Sequence, residues 1–365
     1  MGLYLSELKL AAFRSYRVGA VESDGRPVAL FGANGAGKTN ILEAISLLSP
    51  GRGMRRAGPS ELARKPGRAG WRVTAMLEAD GVHELVTGAE GDAPRTVSID
   101  GKTAPQTALG RLMRVLWLTP AMDRLWLEGA GERRRFLDRM VLAHVPEHGE
   151  AASRYERAMR DRNRLLKDDV RDDAWFAALE RQMGEAGAAM AAARADVLRR
   201  LTVAMDRAAT AFPRATLALE GPEGAPEEVW SGEALAEALA EGRYRDRAAG
   251  RTLTGPHRAD MAAVYTDKGM EARACSTGEQ KALLISLILA NARALAEDVG
   301  APPVLLLDEV AAHLDADRRA ALYDEICTLG AQAWMTGTGP ELFEALGERA
   351  QHLEVSETGG ASCVG

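Results

Sequence analysis

The most informative segment of this 365-residue chain is Gly32-Ala33-Asn34-Gly35-Ala36-Gly37-Lys38-Thr39, which fits the pattern G-x-x-x-x-G-K-[ST]. A short apolar run, Val28 to Phe31, precedes this phosphate loop, and residues from about Thr39 to Leu48 are predicted to form a helix. Glycines at such a strand-to-helix turn let backbone N–H groups surround a phosphate, and the helix N-terminus adds the positive end of its dipole. The motif therefore predicts a nucleoside triphosphate site in which Lys38 bridges the β- and γ-phosphates and Thr39 binds Mg²⁺.

We expect the nucleotide to contact every residue of this motif and the one after it: Gly32, Ala33, Asn34, Gly35, Ala36, Gly37, Lys38, Thr39 and Asn40.

A second signal is Val304-Leu305-Leu306-Leu307-Asp308-Glu309, an apolar run that ends in two carboxylates. A continuous apolar run of this length is typical of a strand buried on both faces of a parallel sheet. The carboxyl ends of parallel strands meet at one edge, so we expect Asp308 near the Mg²⁺ bound by Thr39. Glu309 is then placed to orient or deprotonate the attacking water. Glu309 and Lys38 are the predicted catalytic residues.

A third signal is Cys275-Ser276-Thr277-Gly278-Glu279-Gln280-Lys281, which opens a predicted helix ahead of the Asp308 strand. Ser276 is a favourable N-cap, and Glu279 follows three residues later, so a capping box explains both residues structurally. A capped helix N-terminus is also a site for an anion. On these residues alone, both interpretations stay open.

The rest of the chain predicts an α/β nucleus with a helical insert, because strands and helices alternate at both ends and helix-forming residues dominate the middle. Residues 173–211 are expected to form one long helix or a helical pair, and their apolar positions keep no clean heptad, which argues against an extended coiled coil. The other predicted elements are a strand at 3–10, hairpins turning at Asp80-Gly81 and Asp100-Gly101, helices from about 130 to 212 with breaks near Pro146 and at Pro213, a surface loop at 221–228, a helix at 231–241, a hairpin over 261–273 and a helix at 278–296.

The composition is that of an ordinary globular protein, with 46% hydrophobic and 27% charged residues. No apolar run approaches the roughly 18 residues of a membrane span, and the N-terminus has no signal-peptide pattern. Three cysteines without metal-type spacing favour a reducing compartment, so we expect a cytoplasmic protein.

The net charge of −6 argues against a protein that binds polyanions with its whole surface. Basic residues nevertheless cluster between Arg52 and Arg72, with Glu61 as the one acid, and again at Arg133 to Arg135. Arginine suits phosphate contacts, whereas the alternative is a solvated charged face. The candidate DNA contacts are Arg52, Arg55, Arg56, Arg64, Lys65, Arg133 and Arg134.

The three motifs occur in this order and are followed, after the Asp-Glu strand, by Ala312-His313-Leu314-Asp315. Together they resemble the head of ABC-type ATPases. Further segments resemble the RecF family of bacterial recombinational repair ATPases, and the match extends over most of the chain without a large gap. These segments are Phe13-Arg14-Ser15-Tyr16, residues 31–45, Arg133-Arg134-Arg135-Phe136-Leu137-Asp138 and Gly255-Pro256-His257-Arg258-Ala259-Asp260.

The resemblance implies an α/β fold: a P-loop ABC-ATPase head with a mixed-sheet core (lobe I) and a largely helical second lobe without a long coiled coil. The expected bounds are residues 1–118 for lobe I, 119–300 for lobe II with the Ser276 segment, and 301–365 for the rest of lobe I. Size agrees with this assignment, since relatives with long coiled-coil arms need hundreds more residues between the two nucleotide motifs.

The resemblance also assigns roles to residues outside the phosphate loop. Ser276 and Gly278 would contact the γ-phosphate of ATP held by a second subunit, Asp315 would lie in the loop that crosses the dimer seam, and Arg14 would approach the nucleotide base or ribose. Two features of ABC heads are absent from the sequence: the glutamine that senses Mg²⁺ and the histidine after the last core strand. Thr336 is expected to contact the γ-phosphate instead.

The function implied by the resemblance is an ATP-dependent DNA clamp with ATP and Mg²⁺ as cofactors. Its homodimer would form on ATP and bind duplex DNA beside single-stranded gaps, helping RecO and RecR to load RecA. Weak, DNA-stimulated ATP hydrolysis would reopen it. The alternatives are an energy-coupling ATPase of a transporter and a scaffold that does not hydrolyse ATP; intact Lys38, Thr39, Asp308 and Glu309 argue against the scaffold.

Overall fold

A computed structural model describes residues 2–65, 70–224 and 230–365, and these form two compact units. The first unit comprises Met1–Asp123, Ala208–Pro213 and Leu284–Gly365. The second unit comprises Arg124–Arg207 and Arg214–Leu283. Arg68 of the basic cluster and residues 225–228 of the expected surface loop lie outside the described residues.

Within the described residues the strands are, in chain order, β1 (Tyr4–Phe13), β2 (Tyr16–Glu22), β3 (Val28–Phe31), β4 (Trp71–Glu78), β5 (Val82–Ala89), β6 (Thr96–Ile99), β7 (Lys102–Thr103), β8 (Val115–Leu118), β9 (Ala215–Glu220), β10 (Asp260–Tyr265), β11 (Met270–Glu271), β12 (Val304–Leu307), β13 (Ala333–Gly337), β14 (Gln351–Thr358) and β15 (Ala361–Val364). The α-helices are α1 (Lys38–Ser46), α2 (Pro59–Leu62), α3 (Gln106–Leu112), α4 (Ala130–His144), α5 (His148–Lys167), α6 (Asp173–Arg207), α7 (Gly232–Glu241), α8 (Arg243–Ala249), α9 (Thr277–Val299) and α10 (Ala316–Leu329).

A mixed sheet in the order β15-β14-β3-β13-β12-β8 forms the centre of the first unit. Its β14, β3, β13, β12 and β8 pair in parallel, and only β15 runs antiparallel to its neighbour. All four residues of β12 are buried, as the unbroken apolar run predicted. Because the strands are parallel, the segments that follow Phe31 and Leu307 leave the sheet at the same edge.

A second, antiparallel sheet of the first unit has the order β2-β1-β4-β5-β6-β7. Both predicted hairpins are present in it, with Gly81 between β4 and β5 and Asp100-Gly101 between β6 and β7. Asp100 and Gly101 have φ of 51° and 75°, as a two-residue type I′ turn requires. Apolar side chains of both sheets and of α1 share one core.

The second unit contains α4 to α8 and a small sheet in the order β11-β10-β9. Residues 173–207 form one helix of 35 residues, which resolves the choice between a long helix and a pair. α5, α6 and α7 pack around Tyr155, Met183 and Leu235. α6 and α7 approach so closely that a Cβ on Gly184 would lie 2.1 Å from the Gly232 carbonyl oxygen.

β9 was not predicted from the sequence, because its pairing partner β10 lies about 45 residues further along the chain and local pattern carries no signal of it.

The expected bounds put residues 119–300, including all of α9, in lobe II, whereas the first unit extends to Asp123 and also includes Ala208–Pro213. From Leu284 onward α9 belongs to the first unit, since Ile285 and Leu289 line one small cavity with Leu305 and Leu307 of β12. No helix in the described part of the chain is long and apolar enough to cross a membrane.

Candidate nucleotide-binding site

The phosphate loop follows β3 and turns directly into α1, with its glycines in conformations that other residues rarely adopt. Gly32 has φ 145°, and a Cβ there would lie 2.1 Å from the Val355 carbonyl oxygen. Gly37 has φ 111°, and a Cβ there would lie 2.4 Å from Ser362 Oγ. Both positions therefore require glycine, and the loop turns directly into the N-terminus of α1, where the helix dipole favours an anion.

Lys38 lies inside the loop and is only 5% exposed. Its Nζ donates hydrogen bonds to the carbonyl oxygens of Gly32 at 2.7 Å and Ala33 at 2.8 Å. Burial lowers the pKa of Lys38, whereas the nearby carboxylates of Glu309 and Asp308 act in the opposite direction. The ammonium group is thus held inside the loop by two backbone carbonyl oxygens.

Thr39 and Asp308 bring the two nucleotide motifs into direct contact. Thr39 Oγ1 donates a hydrogen bond of 2.8 Å to Asp308 Oδ1. The Thr336 hydroxyl in β13 donates to the same oxygen, also at 2.8 Å, and accepts a 2.9 Å bond from the Glu309 backbone N–H. Asp308 is 7% exposed, so this carboxylate is held by two hydroxyls at the edge of the sheet.

Glu309 adopts φ 53°, a left-handed conformation that is uncommon for a residue with a side chain. The bond from its N–H to Thr336 holds this conformation at the end of β12. Backbone strain of this kind often marks a functional position, which fits the role predicted for Glu309.

Arg14, which follows β1, binds the carboxylate of Glu43 in α1. Its Nε and Nη2 donate to the two carboxylate oxygens of Glu43 at 2.8 and 2.6 Å, and Nη1 donates to the Glu61 carbonyl oxygen at 2.9 Å. Glu43 is buried in α1. Arg14 is therefore anchored to the helix that follows the phosphate loop.

Three polar residues around the loop received no role from the sequence, namely Ser15, Glu43 and Ser362. Asn40 Nδ2 donates to Ser15 Oγ at 2.7 Å, and Ser362 Oγ donates to the same Ser15 oxygen at 2.7 Å. Glu43 binds Arg14 and also lies 3.5 Å from Arg55. A single glutamate among the apolar residues Ile41, Leu42, Ala44 and Ile45 was an available signal for Glu43. Ser362 carried none, because its neighbourhood depends on the β14–β15 hairpin.

Ser276 caps α9 in the second unit and is exposed, as are Thr277 and Gly278. Its N–H and its hydroxyl both donate to Glu279 Oε2, at 2.8 and 2.7 Å, and Glu279 N–H lies 3.4 Å from Ser276 Oγ. The capping box predicted from the sequence is therefore present. Besides the capping box, Ser276, Thr277 and Gly278 face solvent at this helix N-terminus, where the helix dipole favours an anion.

Asp315 caps α10 in the first unit by accepting a 2.8 Å hydrogen bond from the Arg318 N–H, and its side chain is exposed.

The basic candidates differ in how far their side chains are exposed. Arg52, Arg56 and Lys65 are exposed, and so is Arg55, which also donates to Asn40 Oδ1 at 3.1 Å. Arg64 is half-buried and donates to the carbonyl oxygens of Ser15 and Gly360.

In the second unit Arg133 binds both carboxylate oxygens of Asp260, at 2.8 and 2.7 Å, and Arg134 donates to the Ala259 carbonyl oxygen at 2.7 Å. These contacts tie α4 to the start of β10, so Arg133 and Arg134 are bound within the protein, which differs from the solvated face considered as the alternative to DNA contacts.

His257 and Arg258 lie in the segment just before β10. His257 Nε2 lies 3.1 Å from the Thr252 carbonyl oxygen, and Nδ1 lies 2.7 Å from the Tyr155 hydroxyl. Since a carbonyl oxygen only accepts, Nε2 carries the proton and Nδ1 accepts from Tyr155. His257 therefore holds the turn before β10.

The comparisons with known proteins agree with these observations. The RecF/RecN/SMC N-terminal domain family model matches residues 4–358. A DNA replication and repair protein RecF of Rhizobium rhizogenes is 50% identical, with 98% of each chain covered. The RecF of Caulobacter sp. strain K31 is 51% identical, with 97% of each chain covered.

Solved structures show the same fold. A structure of the recombination mediator protein RecF-ATP in the RecFOR pathway superposes with a TM-score of 0.80 at 25% identity, covering 93% of this chain and 94% of that chain. The head domain of Smc from Pyrococcus furiosus gives a TM-score of 0.56 at 17% identity, covering all of this chain and 96% of that one. The expected α/β fold of an ABC-ATPase head is confirmed. With a matching family model and relatives about half identical over nearly their whole length, this chain belongs to the RecF family of DNA replication and repair proteins.

Proposed function

We propose that this chain is an ATP-dependent DNA clamp of recombinational repair and replication restart. The observation that supports the proposal most strongly is the contact between Thr39 and Asp308 beside the buried ammonium of Lys38. It joins a phosphate-binding loop to a carboxylate at the carboxyl edge of a parallel sheet, which is the arrangement that phosphoryl-transfer sites use. The printed names of its relatives point to DNA replication and repair as the setting.

The nucleotide is ATP and the metal is Mg²⁺ in this proposal. The donor set fits: one hydroxyl and one carboxylate, 2.8 Å apart, are hard oxygen ligands, and Mg²⁺ commonly takes few protein ligands together with phosphate oxygens. Among the described residues no group of three or more His, Cys, Asp or Glu side chains could hold a metal without the nucleotide. Mg²⁺ would neutralise charge on the β- and γ-phosphates. Lys38 and the loop amides would bind those phosphates, and Glu309 would accept a proton from the attacking water.

Two copies of the chain would bind each ATP. In this arrangement Ser276 and Gly278 of one copy contact the γ-phosphate held by the other, and Asp315 lies at the seam. The exposure of Ser276 at the N-terminus of α9 supports this role, because a helix N-terminus that faces solvent favours an anion. ATP shared between two copies stabilises only the closed dimer, so ATP binding would close the clamp and slow, DNA-stimulated hydrolysis would reopen it.

Duplex DNA beside a single-stranded gap would be the bound nucleic acid, and RecO and RecR would be the partners that load RecA there. Exposed Arg52, Arg55, Arg56 and Lys65 are the stronger candidates for phosphate contacts. Arg64, Arg133 and Arg134 are weaker candidates, because their side chains are half-buried and bind carbonyl oxygens or Asp260.

The experiment that tests the proposal is fluorescence anisotropy of gapped duplex DNA, with and without ATP–Mg²⁺, over a series of salt concentrations. We expect binding that requires ATP and weakens steeply with salt, with a slope of about −0.9 per phosphate contact. Lys38→Ala, in which we expect weakened ATP binding, serves as the comparison variant. Equal binding with and without ATP, or no binding at low salt, would contradict the clamp.

A further inference from the structure

The turn between β10 and β11 brings Lys268 to the N-terminus of α9. Lys268 Nζ forms an ion pair with Glu279 Oε1, while Glu279 Oε2 accepts from Ser276 N–H at 2.8 Å and from the Ser276 hydroxyl at 2.7 Å. One carboxylate is therefore bound at both oxygens, by the lysine on one side and by the capping serine on the other. The hairpin that carries Lys268 was predicted from the sequence, but no role was assigned to it.

The capping carboxylate creates an electrostatic conflict with the role proposed for Ser276. The ion pair with Lys268, followed by the hydrogen bonds from Ser276, lowers the pKa of Glu279 to about 2, so Glu279 is ionised at neutral pH. A γ-phosphate that approaches Ser276 would then meet a negative charge bonded to that serine. Like charges in proximity oppose binding unless a cation compensates them.

We propose that Lys268 is the positioning residue that resolves this conflict. It cancels the charge of Glu279 and holds the carboxylate back against the turn, so that the Ser276 segment accepts the γ-phosphate of ATP bound to a second copy of the chain. The inference rests on the proposed ATP-dependent dimer and assigns it one further residue. Lys268 contacts Glu279 and acts on the phosphate only through it.

The same turn supplies a matched control. Arg214 pairs with Asp267, the residue before Lys268, at 2.9 Å. The two basic side chains are equally exposed, at 49% for Arg214 and 48% for Lys268. Removing either one deletes one positive charge and at least one surface ion pair, since Arg214 also lies 4.0 Å from Asp206. Only Lys268 touches the capping box of α9.

The test uses the full chain and measures dimer formation by sedimentation velocity with ATP–Mg²⁺, together with ATP binding at concentrations where the chain is monomeric. Lys268→Ala is expected to weaken dimerisation about fivefold at each of two equivalent sites, hence about 25-fold in the dimer dissociation constant, and less at high salt. ATP binding by the monomer stays unchanged. Arg214→Ala dimerises like the wild type, and Lys268→Arg retains dimerisation.

Rescue distinguishes charge compensation from a merely structural contact. Because Gln can still accept from Ser276, Glu279→Gln removes the charge that Lys268 balances, and the double variant Lys268→Ala with Glu279→Gln should recover dimerisation. Wild-type dimerisation by Lys268→Ala, or no recovery in the double variant, overturns the role of Lys268. A wild-type chain that stays monomeric with ATP overturns the proposed function itself, so the two failures are separable.

Discussion

The hydroxyl of Thr39 and the carboxylate of Asp308 are hydrogen-bonded at 2.8 Å although 269 residues separate them in the chain. Thr336 donates to the same Asp308 oxygen from a third strand-end position. Three distant segments thus meet at one edge of the parallel sheet, because β3, β12 and β13 run in the same direction. We therefore expect substitutions at this edge of the sheet to change ATP binding and turnover.

Lys38→Ala is expected to abolish ATP-induced dimerisation. The substitution removes the buried ammonium that the loop holds against two carbonyl oxygens. Because charge-assisted hydrogen bonds to phosphate are lost, ATP affinity should fall by about 10- to 100-fold. Light scattering with and without ATP–Mg²⁺ measures the effect. Lys102→Ala, at an exposed lysine of β7, is the control. Normal dimerisation of Lys38→Ala would refute the role of the loop.

Glu309→Gln is expected to accumulate a closed dimer that retains ATP. Gln preserves size but accepts no proton from water, so turnover should fall by about 100- to 10,000-fold while ATP binding persists. Phosphate release and size-exclusion chromatography after ATP addition measure the two effects. Exposed Glu344→Gln is the matched comparison. An unchanged monomer–dimer balance together with unchanged turnover would remove Glu309 from its role as the base.

The sequence predicted best the elements whose signals are local. The phosphate loop, the apolar run of β12 and the turn at Asp100-Gly101 each need only neighbouring residues to be recognised, and the structure contains all three. Thr336 was predicted to contact the γ-phosphate, whereas its bonds to Asp308 and to the Glu309 N–H depend on strand order, which no local pattern encodes.

Side-chain roles that depend on distant partners were harder to predict. The Arg133 to Arg135 cluster looks the same in sequence whether it faces DNA or the protein, and only the position of Asp260 shows that Arg133 is used internally. Glu43 was overlooked because carboxylates are rarely buried unless they are paired, and its partners, Arg14 and Arg55, are not evident from the sequence.

Ser276→Arg is expected to block dimerisation while leaving ATP binding by the monomer intact. A large cation at the exposed N-terminus of α9 would occupy the space that the γ-phosphate of another copy requires. Fluorescent-nucleotide titration and sedimentation separate the two properties. Ser231→Arg is the matched control, because Ser231 also caps a helix, accepting from Ala234 N–H at 3.0 Å. Lost ATP binding by the monomeric Ser276→Arg chain would contradict action between copies.

His257 is expected to make the chain less stable in mild acid. Burial, reinforced by the positive charges of Arg258 and Arg134, lowers the pKa of His257 to about 4, against 6.5 for an exposed histidine. Between about pH 4 and pH 6.5 the unfolded chain therefore binds a proton at this imidazole that the folded chain does not. As the pH drops from about 6.5 to about 4, the free energy of unfolding falls by about 3 kcal/mol in total. Urea unfolding at pH 7 and pH 4.5 measures the loss, which His257→Gln should reduce and His352→Gln, at an exposed histidine, should leave unchanged. If His257→Gln loses as much stability in acid as the wild type, the buried imidazole is not its source.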